Sequence, residues 1–166
     1  AKLVDDSDAA YDPTDPLRAL PTDTNRVIEI GDLNGDTFNE IAICTQHGIY
    51  LMLSTSNANT YQPPVLLSDE SDNVVDIAVL NYDDDLSNDL VVITDSGSPN
   101  KVYFGDPEDL TMTNLGVAGK GGLRYVALGG ESNTKDSTSV VLLDTDGDGT
   151  ADSILLGNKG AKDELY

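Results

Sequence analysis

The chain has 166 residues and a mass of 17.6 kDa, the size of one domain with its own hydrophobic core. Its 30 Asp and Glu residues against 9 Lys and Arg give a formal net charge of -21, which argues against binding to nucleic acid or anionic lipid. The hydrophobic fraction of 39% excludes an acidic disordered tail, one Cys excludes an intrachain disulfide, and one His excludes a polyhistidine metal site. No apolar run approaches the ~20 residues of a membrane-spanning helix, so we expect no membrane span.

Residues 1–24 form the first distinct segment. They contain Pro13, Pro16 and Pro21 among Asp, Thr and Ala residues. This composition is typical of a linker or of an arm on a domain surface. We therefore place the folded region at residues 25–166.

Three similar β-hairpins are predicted in the folded region. The first joins Glu40–Cys44 to Ile49–Leu53 through a turn that contains Gly48. The second and third occupy residues 89–103 and 152–166, which align with each other without a gap and both end in Tyr. Each hairpin begins with an acid, continues with apolar residues, and turns at a polar segment that contains Gly. The pattern predicts an all-β fold.

An apolar strand precedes each hairpin, at Val27–Gly31, Ile77–Leu80 and Val140–Leu143. Further strands are indicated at residues 64–67, 110–113 and 123–128, and the first two supply a fourth strand for their units. The repeat is therefore a four-stranded antiparallel unit. We assign units to approximately residues 25–72, 73–122 and 123–166, with the last unit truncated.

Three acidic loops of nine positions join the first two strands of these units. They are loop 1 (Asp32–Glu40), loop 2 (Asn81–Asp89) and loop 3 (Asp144–Asp152), which begin 49 and then 63 residues apart. Positions 1, 3, 5 and 9 carry a carboxylate or carboxamide in every loop: Asp32, Asn34, Asp36 and Glu40; Asn81, Asp83, Asp85 and Asp89; Asp144, Asp146, Asp148 and Asp152.

Oxygen atoms at alternate positions of a tight loop can converge on one cation. The backbone carbonyl of position 7, which is Phe38, Ser87 or Thr150, can join them. Ca²⁺ takes six to eight oxygen ligands, whereas zinc prefers His and Cys, so the loops predict calcium sites. The alternative is that they are ordinary acidic turns, since Asp, Asn and Gly favour turns. EF-hands are excluded, because their bidentate Glu stands at position 12, where these loops have Ile43, Val92 and Leu155.

The chain resembles the FG-GAP/VCBS-type repeats that form β-propeller blades in integrin α-subunit heads and many secreted proteins. The matching segments are Ile30–Asp36 with Glu40 and Ile41, Leu143–Gly149 with Asp152, and Asn100–Phe104. The resemblance covers residues 25–166 and implies four-stranded blades with a calcium loop between the first two strands. Closed propellers have 4 to 8 blades, so about three units imply an incomplete propeller.

Departures from the family pattern occur mainly in the first two loops. Loop 1 has Thr37 and Glu40 where Gly and Asp are usual, and loop 2 departs at Asn81, Asp84 and Leu86. Loop 3 carries four carboxylates and two glycines. We therefore expect the tightest calcium binding in loop 3.

Several functions are compatible with this interpretation. The first is a non-catalytic calcium-binding module that mediates protein–protein interaction, adhesion or assembly. The second is a carbohydrate-binding propeller in which Tyr50, Tyr103 and Tyr125 stack on sugar rings. The third, the propeller part of a secreted hydrolase or lyase, has less support, since acids such as Asp83 and Asp85 already have an interpretation as metal ligands.

The only His and the only Cys have ordinary structural interpretations. His47 lies in a predicted turn, and Cys44 lies on an apolar strand, where it is expected to be a small core residue. Calcium loops of low affinity function outside the cytosol, which favours an extracellular, cell-surface or organelle-lumen location. An acidic surface also favours a protein partner with a basic patch.

Overall fold

The computed structural model describes residues 27–45, 48–55, 60–68, 74–95, 97–105, 125–130 and 132–166. None of these residues forms a helix, and therefore no described helix is long and apolar enough to cross a membrane. The described strands are β1 (Val27–Gly31), β2 (Glu40–Thr45), β3 (Gly48–Met52), β4 (Val65–Ser68), β5 (Val74–Leu80), β6 (Asp89–Thr94), β7 (Lys101–Tyr103), β8 (Tyr125–Ala127), β9 (Ser137–Leu143), β10 (Ser153–Asn158) and β11 (Glu164–Leu165).

The strands form three antiparallel sheets. The first sheet has the order β1-β2-β3-β4, the second β5-β6-β7-β8, and the third β9-β10-β11. The predicted all-β fold is confirmed, and so are four-stranded antiparallel units for the first two sheets. Among the described residues the sheets do not close into a barrel or propeller.

The fourth strand of the second sheet is β8, which pairs with β7 through Val102↔Val126 and Tyr103↔Tyr125. The sequence predicts a strand here but places it within residues 123–166, the stretch assigned to the third unit. An isolated apolar segment does not reveal which sheet it joins. The other candidate strand, at residues 110–113, lies outside the described residues.

The second sheet is the centre of the described fold because both of its faces are covered. Its strand β6 is buried at all six positions. On one face, Leu90 and Val92 pack with Ala42, Cys44 and Leu51 of the first sheet. On the other face, Val91 and Ile93 pack with Ile154 and Leu156 of the third sheet. An apolar run of this length is what a doubly covered strand requires.

Loops 1 and 2 touch each other directly. The backbone N–H and the side-chain Nδ2 of Asn88 both donate to the carbonyl oxygen of Asp32, each at 2.9 Å. Gly105 lies beneath this contact, where an added Cβ would be 2.3 Å from the Asn88 carbonyl oxygen and 2.6 Å from that of Leu33. The two loops are therefore held at a fixed spacing.

A chain of polar side chains ties the second and third sheets at their other end. Asn100 Nδ2 donates to Ser137 Oγ at 2.7 Å, and Ser137 Oγ donates to Asn158 Oδ1 at 2.7 Å. Asn100 and Ser137 are buried. Buried polar groups are tolerated when they are paired in this way. These hydrogen bonds therefore join the two sheets in addition to the apolar packing between them.

A close contact at Gly31 generates a test of the packing between the first two sheets. A Cβ on Gly31 would lie 2.4 Å from Val79 Cγ1 of the second sheet. Gly31→Ala should therefore cost about 1–3 kcal/mol of unfolding free energy, the usual range for overpacking. In a Val79→Ala background the cost should become much smaller, because the clashing methyl group is gone. Urea unfolding of the four proteins in the double-mutant cycle measures both values, and equal costs in the two backgrounds would contradict this packing.

Candidate metal centres

The three acidic loops occupy equivalent places in the fold. Loop 1 joins β1 to β2, loop 2 joins β5 to β6, and loop 3 joins β9 to β10. Position 9 begins or immediately precedes the second strand in each sheet, with Gly31 paired to Glu40 and Leu80 paired to Asp89. The predicted order of strand, acidic loop and strand is confirmed for all three units.

Short side-chain-to-backbone hydrogen bonds explain why these sequences turn. In every loop the carboxylate at position 5 accepts the backbone N–H of position 7, two residues later, as in an Asx-turn. The pairs are Asp36 with Phe38 at 2.8 Å, Asp85 with Ser87 at 2.7 Å, and Asp148 with Thr150 at 2.7 Å. Asn34 and Asp146, at position 3, each accept the N–H of position 5 at 3.1 Å.

The closing acid at position 9 makes the second contact common to all loops. Its carboxylate accepts the backbone N–H of position 2, which draws the start and the end of the loop together. The pairs are Glu40 with Leu33 at 3.0 Å, Asp89 with Tyr82 at 2.6 Å, and Asp152 with Thr145 at 3.2 Å. A carboxylate at position 9, from Glu or Asp, therefore closes all three loops.

Backbone dihedrals separate loop 2 from the other two loops. Position 4 has a positive φ in all three, at Gly35 (71°), Asp84 (58°) and Gly147 (81°). Position 6 has a positive φ only in loops 1 and 3, at Thr37 (75°) and Gly149 (96°). A β-branched residue rarely adopts this conformation, so Thr37 is strained. Loop 1 thus adopts the same turn as loop 3 despite an unfavourable residue.

Loop 1 brings three carboxylates together. Ligand oxygens of Asp32, Asp36 and Glu40 all lie within 4.8 Å of one another. Two oxygens on opposite sides of a Ca²⁺ ion are separated by roughly twice the ~2.4 Å Ca–O distance, so this spacing fits a shared cation. Asp32 is held at both oxygens, by the N–H of Asp36 at 3.1 Å and that of Thr37 at 2.9 Å. A carboxylate has about four lone-pair sites, which leaves capacity for a metal.

Glu40 connects this cluster to the rest of the first sheet. It is fully buried, and its Oε1 accepts the Ser54 hydroxyl at 2.9 Å, just beyond β3. Burial raises the pKa of Glu40, and the nearby charge of Asp36 adds to that rise, while the hydrogen bonds from Ser54 and Leu33 oppose it. A bound cation would favour the ionised form.

Loop 3 brings together Asp144, Asp146 and Asp148, whose ligand oxygens also lie within 4.8 Å of one another. All three side chains are exposed. Asp144 accepts the N–H groups of Gly147 at 2.6 Å and Gly149 at 2.9 Å, so both of its oxygens are held, as at Asp32, although one donor is position 4 instead of position 5. Asp152 is outside the cluster: its carboxylate accepts the Thr145 hydroxyl, and this bond lowers the pKa of Asp152.

Loop 2 does not gather its acids in the same way. Its candidate ligands are present, but they do not form a carboxylate cluster like those of loops 1 and 3. Asn81 donates through Nδ2 to the Asp85 carbonyl at 2.6 Å, whereas its buried Oδ1 has no hydrogen-bond partner. Asp83 is exposed, and Asp85 accepts the Ser87 hydroxyl at 2.8 Å. Loop 2 therefore fits a cation less well than loops 1 and 3.

Asp89 closes loop 2 from a buried position. Its Oδ1 accepts the N–H of Gly105 at 2.8 Å, just beyond β7, as Glu40 does from Ser54. The pKa of Asp89 is raised to about 6, chiefly by burial and to a smaller extent by the charges of Asp83 and Asp85, against the opposing hydrogen bonds from Gly105 and Tyr82. Sequence reasoning missed Ser54 and Gly105, because no fixed spacing links them to the acids they bind.

The other residues singled out in the sequence lie outside the acidic loops. Tyr103 is buried, whereas the Tyr125 ring is 41% exposed and lies against Tyr103, with Lys101 Nζ 4.9 Å from its centroid. Cys44 is buried in the core, and burial raises the pKa of its thiol to about 12. His47 lies outside the described residues.

A cavity of about 320 Å³ lies at the opposite end of the second and third sheets. Its lining combines two acids and one base with apolar and hydroxyl groups, from Val75, Asp95, Asp136, Ser137, Thr138 and Lys159. These residues lie outside the three acidic loops. The acidic loops therefore remain the candidate site. Neither a protein-family model nor a curated protein matches the chain.

The contrast between Asp89 and Asp152 gives a testable titration. In calcium-free solution the Asp89 carboxyl should titrate near pH 6, because it is buried, and Asp152 below its ordinary range. Since the folded state binds the Asp89 proton more tightly than the unfolded state, with its ordinary pKa of ~3.9, this group stabilises the fold most below about pH 4 and loses that contribution as pH rises through 6. Carboxyl-carbon NMR measures both midpoints, and coinciding midpoints would contradict the buried placement of Asp89.

Proposed function

We propose that the chain is a non-catalytic calcium-binding β module of the FG-GAP/VCBS type. The observation that carries the proposal is the recurrence of a three-carboxylate cluster at the same place in two sheets, at Asp32, Asp36 and Glu40 and at Asp144, Asp146 and Asp148. Three like charges at this spacing repel each other unless a cation lies among them. The two clusters share positions 1 and 5, and their third member is position 9 in loop 1 and position 3 in loop 3.

The proposed ligand sets differ between the loops. In loop 3 the ion would be held by Asp144, Asp146 and Asp148, and in loop 1 by Asp32, Asp36 and Glu40, with the Asn34 carboxamide oxygen as a further candidate. The carbonyl groups of Phe38 and Thr150 are additional candidates from position 7. Loop 2 would bind more weakly, because it lacks both the positive φ at position 6 and the cluster.

The proposed role is structural support for an interaction surface. The loops lie where the first two strands of each sheet are joined, and loops 1 and 2 are in contact. Ions in these loops would stiffen that end of the sheets. The module would then present its surface to a protein partner in adhesion or assembly, in an extracellular, cell-surface or organelle-lumen setting where calcium is abundant.

The non-catalytic assignment rests on what the acids already do. Each closing acid accepts backbone N–H groups of its own loop, and Asp36, Asp85 and Asp148 each hold the turn at position 7. A general acid or base needs a carboxyl group that faces a substrate. These groups instead fix loop conformation.

Chelation provides the direct test of calcium binding. Removing Ca²⁺ with EDTA should lower the melting temperature by about 5–10 °C relative to millimolar Ca²⁺, if the ion is present at about a hundredfold excess over its Kd. Asp146→Ala should lose a large part of this shift, because it removes a carboxylate from the loop 3 cluster. Asp83→Ala, at the same position of loop 2, is the matched control and should retain most of it.

Asp36→Ala and Asp85→Ala make the same comparison at position 5 of loops 1 and 2. Asp36→Ala should lose a larger part of the calcium-dependent melting shift than Asp85→Ala. Differential scanning fluorimetry at fixed pH measures all five proteins. An unchanged melting temperature in EDTA would show that the loops are ordinary acidic turns. Equal losses in the matched variants would contradict the assignment of loops 1 and 3.

A further inference from the structure

The two interfaces between sheets use equivalent faces. We call the forward face of a sheet the set of side chains that packs on the preceding sheet. In the second sheet it consists of Ile77, Val79, Leu90, Val92 and Tyr103, which pack with the first sheet. In the third sheet it consists of Val140, Leu142, Ile154, Leu156 and Tyr166, which pack with the second sheet.

Strand register confirms that these faces are equivalent. In the second sheet Ile77 pairs with Val92, and Val79 with Leu90, which pairs in turn with Tyr103. In the third sheet Val140 pairs with Leu156, and Leu142 with Ile154, which exchanges both backbone hydrogen bonds with Tyr166. The same pattern of pairs therefore forms the contact twice.

The first sheet carries the same face, and no other described sheet packs on it. Ile28 pairs with Ile43, and Ile30 with Ile41, which pairs in turn with Met52, in the register of the other two forward faces. All five residues are apolar. Ile28 and Ile30 are 55% and 54% exposed, whereas their equivalents in the second sheet, Ile77 and Val79, are buried and half-buried. The exposed part of the face is therefore its β1 edge, since Ile43 and Met52 are already buried in a cluster with Tyr50 and Tyr61.

The complementary surface is exposed on the third sheet. Val141, Leu155 and Leu165 are paired in one row across it. The equivalent row of the second sheet, formed by Ala78, Val91 and Val102, receives the third sheet in the interior of the fold. Val141 and Leu165 are 50% and 62% exposed. We call this row the rear face.

We propose that a second copy of this chain docks head to tail, with the forward face of its first sheet on the rear face of the other copy's third sheet. The contact would continue the packing already present twice within the chain. Two copies that make this contact at both ends would close a ring of six sheets, within the 4 to 8 of known propellers. The inference rests on sheet packing and not on calcium.

Charge sets the conditions under which the dimer forms. Each copy has a formal net charge of -21, so long-range repulsion opposes association at low salt. Salt screens this repulsion and leaves the apolar contact in place. We therefore expect the dissociation constant to fall as salt rises from about 20 mM to about 500 mM.

Sedimentation equilibrium of the 166-residue chain in EDTA measures the mass without calcium. The expected mass is twice 17.6 kDa. Ile30→Lys on the forward face and Leu165→Lys on the rear face should each raise the dissociation constant at least about 100-fold, because each buries an unpaired charge in the contact. Leu86→Lys, at an 84% exposed apolar side chain in loop 2, is the matched control and should remain dimeric.

Mixing the variants tests the head-to-tail geometry. Ile30→Lys retains a native rear face, and Leu165→Lys retains a native forward face, so a mixed dimer has one native contact, whereas a dimer of either variant alone has none. An equimolar mixture should therefore dimerise more weakly than the wild type but more tightly than either variant alone. A monomeric wild-type chain at high salt would overturn the proposal. So would a dimer that Leu165→Lys leaves intact, which would indicate contact between two forward faces.

A third contrary result concerns residues 1–26. Suppose that the wild type and the variants are all monomeric, and that Ile30→Lys nevertheless lowers the melting temperature. Residues 1–26 of the same copy would then cover the forward face of the first sheet. Circular dichroism of every variant checks that the exposed positions accept Lys without loss of strand structure.

Discussion

The hydrogen bond from the backbone N–H of loop position 2 to the acid at position 9 is the contact on which the described fold depends most. It closes each loop at the point where the second strand begins, and it occurs in all three sheets, at Glu40, Asp89 and Asp152. In the first two sheets the same acid also binds a group just beyond the third strand. One side chain therefore sets the loop, the strand register and the position of the following hairpin.

This arrangement has an electrostatic cost. Glu40 and Asp89 are buried, and burial raises the pKa of both carboxyl groups. Glu40 also lies within one cluster with Asp32 and Asp36. A cation would compensate for both burial and repulsion, which links the proposed calcium binding to the integrity of the first sheet. Asp152 is exposed and needs no such compensation, so loop 3 would gain affinity from its cluster rather than from its closing acid.

Much of the local structure could be predicted because its determinants are close in sequence. Alternating oxygen side chains followed by an apolar run identified the loop and the strand after it in all three units. The similarity of residues 89–103 to residues 152–166 identified two of the hairpins. Distant contacts could not be predicted: nothing near Glu40 points to Ser54, and nothing in Tyr125–Ala127 shows that this strand joins the second sheet.

The sequence pattern also could not predict which loops bring their carboxylates together. Thr37 departs from the family pattern, yet it adopts a positive φ and loop 1 forms a cluster. Loop 2 carries as many carboxylates at the ligand positions as loop 1, but Leu86 does not adopt that conformation and its acids remain apart. Loop 2 differs from both clustered loops in two respects: Leu86 lacks the positive φ at position 6, and Asn81 stands where the other loops have Asp32 and Asp144.

Calcium in two of the three loops is the central claim, and crystallography at long wavelength tests it most directly. Crystals grown with millimolar CaCl₂ should show anomalous difference peaks among Asp32, Asp36 and Glu40 and among Asp144, Asp146 and Asp148. Each peak should be surrounded by six to eight oxygens at about 2.3–2.6 Å. An anomalous map in which both clusters lack a peak would contradict calcium binding by these loops.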